Sequence, residues 1–201
     1  MMVRCSQLII AVFACLTFLP AFAQAQGGGE ENPPGLTELY RIPPSQEGGR
    51  AFKMVYYAPV PVDVFWRFKT DFGADFLLSN KYIVSHRLIE RRKNTFVTET
   101  RYTYGGDTPF RWITTIDPPN HRMTYVLLNP QECSQRFNHG TIEMEAEGSA
   151  TRVTHISYFD FFGALIWSYY PGPGGMESFL RYTARWEQET IKRLLDRYTE
   201  R

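Results

Sequence analysis

Two histidines have the residue type and the spacing for acid–base chemistry. His86 and His155 each alternate with apolar residues, as an inward-facing position on a β-strand does. A histidine that faces a pocket can donate or accept a proton near neutral pH, because its unperturbed pKa is about 6.5. A structural role for the ring is the alternative at each position. His86 and His155 are therefore the candidate general acid or base if the protein is an enzyme.

Other patterns that carry catalytic or metal chemistry are missing from the sequence. The four histidines do not have the spacing of zinc ligands. There is no Gly-x-Ser-x-Gly motif, and the Gly/Pro run at 172–175 lacks the Lys-Ser/Thr of a phosphate-binding loop. The sequence therefore predicts no metal site and no cofactor.

A larger set of aromatic and hydroxyl-bearing residues indicates a ligand pocket. They lie on strand-like segments, and on a helical segment whose apolar or small positions recur at steps of three and four. Buried Thr and Tyr hydroxyls are costly without partners, so they favour a ligand with a few polar atoms or internal water. Plain core packing is the alternative. The predicted ligand-binding residues are Phe96, Thr98, Thr100, Tyr102, Trp112, Thr114, Tyr125, His155, Phe179, Thr183, Trp186 and Thr190.

An aromatic segment connects the last predicted strand to the C-terminal helix. It adjoins the Gly/Pro run at 172–175, which would serve as a hinge. The segment predicts a gate over the pocket mouth or a patch that touches a membrane, and a loop folded over the core is the alternative. Arg91-Arg92-Lys93 at a predicted hairpin tip is either a solvated turn or a contact for anionic headgroups, so transient membrane contact is a further expectation. The predicted gate residues are Phe161, Phe162, Trp167, Tyr169 and Tyr170.

An α+β domain over residues 50–201 must position these side chains. Period-two patterns predict a first strand, followed by two short helices at 63–69 and 74–78. Further strands follow at 82–91, 96–104, 110–116, 122–128, 137–146 and 151–159. From Met176 a helical pattern continues for about 24 residues, or about 36 Å. We expect a curved antiparallel sheet of about seven strands, with this helix buried against its concave face.

The first 49 residues have the composition of an export signal and a linker. Residues 1–23 contain an apolar run that ends at Pro20, followed by Ala21-Phe22-Ala23, which is typical of a cleavable signal peptide. Residues 24–49 are rich in Gly, Pro, Gln and Glu and predict a flexible linker, with a short turn at 36–42 that docks on the domain. The expected location is the periplasm or the outside of the cell.

The composition limits the partners and the covalent chemistry. Hydrophobic residues make up 43% and aromatic residues 15% of the 201 residues, which is enough for a large core with bulky walls. Once Arg4 is removed with the signal peptide, basic and acidic residues are equal in number, which argues against a nucleic-acid partner. The mature chain keeps only Cys133 and therefore has no internal disulfide.

Several short motifs follow the order of the predicted elements. They are Ala58-Pro59, Phe65-Trp66 and Asp71-Phe72, then Asp117-Pro118-Pro119 with Arg122-Met123, and then Gly140 and Gly148 with Thr151-Arg152-Val153-Thr154. In these motifs and in the order of its elements, the sequence resembles the START/Bet v 1-like (SRPBCC) superfamily, which includes the polyketide cyclase/dehydrase and lipid-transport proteins. The resemblance covers roughly residues 52–198 and implies a helix-grip fold around a cavity for lipids, sterols, isoprenoids or polyketides.

The leading interpretation is an exported binding or carrier protein for a hydrophobic small molecule. A cyclase- or dehydratase-type enzyme on the same scaffold, with His86 or His155 as general acid or base, is the alternative. A third interpretation is an interaction module with a filled core, which would use the aromatic segment.

Overall fold

Eight antiparallel strands form one sheet in the described part of the chain, in the order β1-β2-β8-β7-β6-β5-β4-β3. The computed structural model describes residues 36–103, 107–162 and 175–199. The predicted signal peptide at 1–23 lies outside these ranges. The strands are β1 Thr37–Ile42, β2 Arg50–Ala58, β3 Ile83–Arg92, β4 Thr95–Tyr102, β5 Phe110–Asp117, β6 Arg122–Leu127, β7 Gln135–Glu147 and β8 Ala150–Phe161.

The helices lie between β2 and β3 and at the C-terminus. Helix α1 spans Val62–Lys69, and a 3₁₀ turn at Asp75–Ser79 is the second predicted short helix. Another 3₁₀ turn, Pro118–Asn120, joins β5 to β6. The C-terminal helix α2 spans Met176–Arg193, and a last short helix α3 spans Leu195–Thr199. None of the helices in the described ranges combines the length and apolar composition needed to cross a membrane.

Strand β1 corrects the predicted linker. Thr37–Ile42 form an edge strand where a docked turn at 36–42 was predicted, and β1 pairs with β2 from Thr37 opposite Tyr56 to Ile42 opposite Ala51. Only Leu39 packs on the core from the middle of β1, so the segment has little strand pattern of its own. Hydrogen bonding to β2 determines its conformation, which brings the sheet from about seven strands to eight.

The long C-terminal helix is shorter than its pattern predicts. It ends at Arg193, after 18 residues or about 27 Å, and the chain turns at Leu194 before α3. Side chains of α3 are bonded to the loop after α1: Arg197 Nη2 and Tyr198 Oη donate to Asp71 Oδ2 at 3.1 and 2.8 Å. These tertiary contacts hold α3 against the loop after α1.

The main core lies between α2, α1 and the β2–β8–β7–β6 half of the sheet. Inward-facing residues of these strands pack against one stripe of α2, formed by Met176, Leu180, Ala184 and Ile191. The α2 backbone comes closest to β1 and β2. The helix therefore leans toward one edge of the sheet, and its neighbouring stripe faces the β3–β6 half.

Candidate ligand cavity

The strand register places all the predicted strand residues of the pocket on the concave face. One row of directly paired residues crosses five strands on this face, namely Phe96, Thr114, Tyr125, Gly140 and Ser157. The next row pairs Thr98 with Trp112, and Thr100 with Tyr102 continues β4 on the same face. His155 lies one row away, opposite Ile142.

Three polar side chains on this floor are strongly desolvated and yet only half-buried. Burial raises the pKa of Tyr102 to about 12, raises the pKa of Tyr125 well above its ordinary value and lowers the pKa of His155 to about 3. The three side chains are nevertheless partly exposed. This combination is typical of polar groups that line a pocket, so Tyr102, Tyr125 and His155 mark the candidate ligand cavity under α2.

Helix α2 forms the roof of the cavity with the stripe next to its core-packed face. The Phe179 ring lies 6.3 Å from that of Tyr102. Trp186 stacks on Phe76 at 6.1 Å and donates from Nε1 to Ser79 Oγ at 3.1 Å.

Two predicted roof residues differ in their surroundings. Thr183 lies between Phe179 and Trp186 on this stripe. Thr190 is fully buried near the end of α2, where its hydroxyl accepts a hydrogen bond from Arg193 at 3.2 Å. Thr190 therefore belongs to the packed end of the helix.

Oγ1 of Thr183 in the roof is sealed from water and lacks a hydrogen-bond partner within the described ranges. An unpaired buried donor or acceptor costs about 1–3 kcal/mol. A ligand atom or an internal water between floor and roof would remove that cost.

Tyr125 is the centre of a hydrogen-bonded chain across the floor. Its hydroxyl lies 2.7 Å from Nε2 of His155 and 2.8 Å from Oγ of Ser157. The ring reaches His155 by passing over Gly140, the residue paired with Tyr125 on β7. A Cβ at Gly140 would lie 2.5 Å from the Tyr125 hydroxyl oxygen and would overlap the carbonyl oxygen of Ile156. Glycine at 140 therefore leaves the space that the Tyr125 phenol needs to bond to His155 and Ser157.

A buried ion pair was missed by the sequence analysis. Lys69 at the end of α1 donates from Nζ to Glu187 Oε1 at 2.7 Å, and Tyr56 donates to the other carboxylate oxygen. Side-chain exposure is 13% for Lys69 and 6% for Glu187, so the pair is shielded from solvent. Glu187 is three residues beyond Ala184 on the core-packed stripe of α2, and that spacing could have revealed it.

His86 is held at both ring nitrogens. Nδ1 lies 2.8 Å from Thr100 Oγ1, and Nε2 lies 2.8 Å from the carbonyl oxygen of Phe72. Burial lowers its pKa. The ring links the loop after α1 to β3 and β4, and neither nitrogen is free for proton transfer to a ligand. Of the two candidate histidines, only His155 takes part in the chain at the cavity floor.

The predicted gate begins as regular strand. Phe161 is the last residue of β8, opposite Gln135, and the backbone N–H of Phe162 donates to the Ser134 carbonyl at 3.0 Å. The strand continues past the predicted end at 159 because β7 extends far enough to pair with it. Trp167, Tyr169 and Tyr170 lie outside the described residues.

A pocket of about 460 Å³ opens where α2 begins, next to β1 and β2. It reaches the core rings of Phe52 and Phe159, which stack at 5.8 Å. An ion pair at its edge joins Arg41 to Glu177 at 2.7 Å. We call it the rim pocket; its lining residues are Arg41, Ile42, Pro44, Gly49, Arg50, Ala51, Phe52, Phe159, Gly175, Met176 and Glu177.

The part of the chain that the structure describes contains neither a metal-binding cluster nor an activated thiol. No group of three His, Cys, Asp or Glu side chains there could hold a metal ion. Burial raises the pKa of the Cys133 thiol to about 12, so it stays protonated and unreactive.

The curved antiparallel sheet and the helix across its concave face form a START/Bet v 1-like helix-grip fold. No protein-family model matches the sequence, and no curated protein matches it. The fold is shared with solved structures at low sequence identity, so the likeness establishes the architecture.

Three of these structures illustrate the range of the fold. The ZhuI aromatase/cyclase from Streptomyces sp. R1128 is 10% identical, with a TM-score of 0.60 over 79% of this chain and 96% of its own. A START superfamily protein from Mycobacterium smegmatis is 13% identical, with a TM-score of 0.55 over 72% and 98%. The lipid transfer and protein localization domain of human StarD13 is 18% identical, with a TM-score of 0.51 over 75% and 82%.

Proposed function

We propose that this chain is a binding or carrier protein for a hydrophobic small molecule, held between the sheet and α2. The observation that carries the proposal is the partial exposure of Tyr102, Tyr125 and His155, three strongly desolvated side chains under the helix. A cavity with aromatic walls and a few fixed polar groups is the usual form of a small-molecule site. Affinity would come mainly from apolar area, at about 25 cal/mol per Å² buried.

The surroundings of His155 favour binding over acid–base catalysis. A general acid or base works best when its pKa is near the operating pH. An imidazole with a pKa of about 3 is neutral near pH 7 and is a weak proton acceptor. The structurally similar proteins include both an aromatase/cyclase and a lipid transfer domain, so the fold does not separate the two activities. We therefore place the cyclase- or dehydratase-type enzyme second.

A pair of substitutions on α2 tests the proposal. Trp186→Ala removes a wall of the proposed cavity, and we expect it to lower the free energy of unfolding by less than about 2 kcal/mol, because the void would enlarge a space that is already there. The affinity for N-phenyl-1-naphthylamine, a neutral apolar fluorescent probe, should fall at least about tenfold. Denaturant unfolding and probe titration measure the two quantities.

Leu180→Ala is the matched control, since Leu180 packs in the main core on the other stripe of α2. It should cost about 2–5 kcal/mol of unfolding free energy and leave probe affinity nearly unchanged. The proposal fails if the wild-type protein does not bind the probe. It also fails if Trp186→Ala costs as much as Leu180→Ala and leaves the affinity unaltered, because Trp186 would then be core.

We further propose that the protein is exported. The basis is the apolar run before Pro20 and the small residues of Ala21-Phe22-Ala23. N-terminal sequencing of the protein from its native cell should find a chain that begins at Gln24 or Gln26, in the soluble extracytoplasmic fraction. An intact Met1 on cytoplasmic protein would contradict export and would leave the binding proposal untouched.

A further inference from the structure

We propose that the cavity selects ligands whose buried polar group is uncharged, a hydroxyl or a carbonyl, over ligands that place a carboxylate or a phosphate there. The inference rests on the proposed function, because it concerns the ligand of that cavity. It is carried by two arrangements of side chains, one that offers neutral hydrogen bonds and one that keeps the buried charges of Lys69 and Glu187 paired.

The chain Ser157–Tyr125–His155 offers hydrogen bonds without charge. Its members lie 2.8 and 2.7 Å apart, and burial keeps the phenol protonated and the imidazole neutral. The other ring nitrogen, Nδ1 of His155, has no hydrogen-bond partner within the described ranges. The hydrogen bonds among the three side chains can point in either direction. Nδ1 of His155 is therefore a donor when Tyr125 donates to Nε2, and an acceptor when Nε2 carries the proton. A ligand hydroxyl satisfies both arrangements, and a carbonyl satisfies the first.

The buried charges near the Ser157–Tyr125–His155 hydrogen bonds are already paired with each other. Glu187 is the one fully buried charged residue among those described, and its two oxygens accept from Lys69 and Tyr56. Lys69 is close enough to His155 to add to the lowering of its pKa. A ligand anion at the floor would have to displace Glu187 from Lys69 or stay unpaired in a desolvated site. Both cost far more than burying a hydroxyl that finds hydrogen-bond partners.

Arginines lie at a different place, the rim pocket. Arg41 is bonded to Glu177 there, and Arg50 also lines this pocket at the first residue of β2. Tyr125 and His155 are not among the lining residues of the rim pocket. A ligand with a carboxylate could bind with that group in the rim pocket, and its affinity would then be independent of Tyr125.

Displacement of bound N-phenyl-1-naphthylamine by 1-decanol and by decanoate at pH 8 tests the inference. In the wild-type protein, 1-decanol should displace the probe at a concentration at least about tenfold lower than decanoate. Tyr125→Phe keeps the ring over Gly140 and removes the hydroxyl. This variant should bind 1-decanol at least about fivefold more weakly than the wild type, and its affinity for decanoate should stay within about twofold of the wild-type value. Ser157→Ala provides the same comparison if Tyr125→Phe does not fold, and Tyr40→Phe, an exposed hydroxyl, is the matched control.

The outcomes separate this inference from the proposed function. The inference is overturned if decanoate displaces the probe at the same concentration as 1-decanol does. It is also overturned if the ratio of the two displacing concentrations is unchanged in both Tyr125→Phe and Ser157→Ala. Probe binding that neither decyl compound can displace overturns the inference and leaves the proposed function standing. A wild-type protein that does not bind the probe overturns both.

Discussion

Replacing Glu187 by glutamine is expected to lower the free energy of unfolding by about 3–5 kcal/mol. The carboxylate uses one oxygen for Lys69 and the other for Tyr56. Glutamine has a single acceptor oxygen, so one of the two donors would face an NH₂ group. The ammonium of Lys69 would also lose its counter-charge at a place where only 13% of its side chain reaches solvent. Chemical denaturation at pH 7 measures the loss.

The pair between Arg41 of β1 and Glu177, on the same helix as Glu187, is the control for Glu187→Gln. Its side chains are 79% and 32% exposed, so Glu177→Gln should cost less than about 1 kcal/mol. A triple variant with Tyr56→Phe, Lys69→Met and Glu187→Leu should recover most of the stability, because apolar groups of similar size can replace a buried pair. Equal losses for Glu187→Gln and Glu177→Gln would mean that the buried pair contributes no more than the surface pair.

The buried pair also has a consequence for the cavity. Lys69, Glu187 and Tyr56 join the end of α1, the middle of α2 and strand β2. They hold α2 over the β2 side of the sheet, next to the candidate cavity on the β3–β6 half. A loss of the pair should therefore weaken probe binding as well as stability.

Gly140→Ala is expected to cost about 3 kcal/mol of unfolding free energy, at the upper end of the usual range for overpacking. The added Cβ would meet the carbonyl oxygen of Ile156 on β8 and the Tyr125 hydroxyl, 2.5 Å away. Relief requires movement of the strand or of the phenol, and movement of the phenol breaks its bonds to His155 and Ser157. Probe affinity should fall together with stability.

Gly73→Ala is the matched control, because the nearest atom to its Cβ would be Leu88 Cδ2 at 3.9 Å. It should change stability by no more than about 0.5 kcal/mol. In a Tyr125→Ala background, Gly140→Ala should cost less than in the wild type and still more than Gly73→Ala, since the Ile156 carbonyl stays in place. A cost independent of Tyr125 would show that the phenol can move aside freely, and would remove Gly140 from its role at the floor.

Most of the sheet, and which strand residues share its concave face, could be predicted from the sequence. The period-two pattern of Phe96, Thr98 and Thr100 depends only on the geometry of an extended chain, in which alternate side chains share a face. The same reasoning placed Tyr125 and His155 on the concave side. The resemblance to helix-grip proteins rested on the order of these elements, and the fold has that order.

The tertiary structure alone decided how the polar residues are used. Strand β1 exists because β2 supplies its hydrogen bonds, and α3 is held in place by the bond from Tyr198 to Asp71, 127 residues earlier in the chain. The roles of the histidines were set in the same way, since one ring is held at both nitrogens and the other joins Tyr125. Glu187 and Lys69 are 118 residues apart. A local pattern reports whether a residue is buried, but a hydrogen-bond partner so distant in sequence is specified only when the chain has folded.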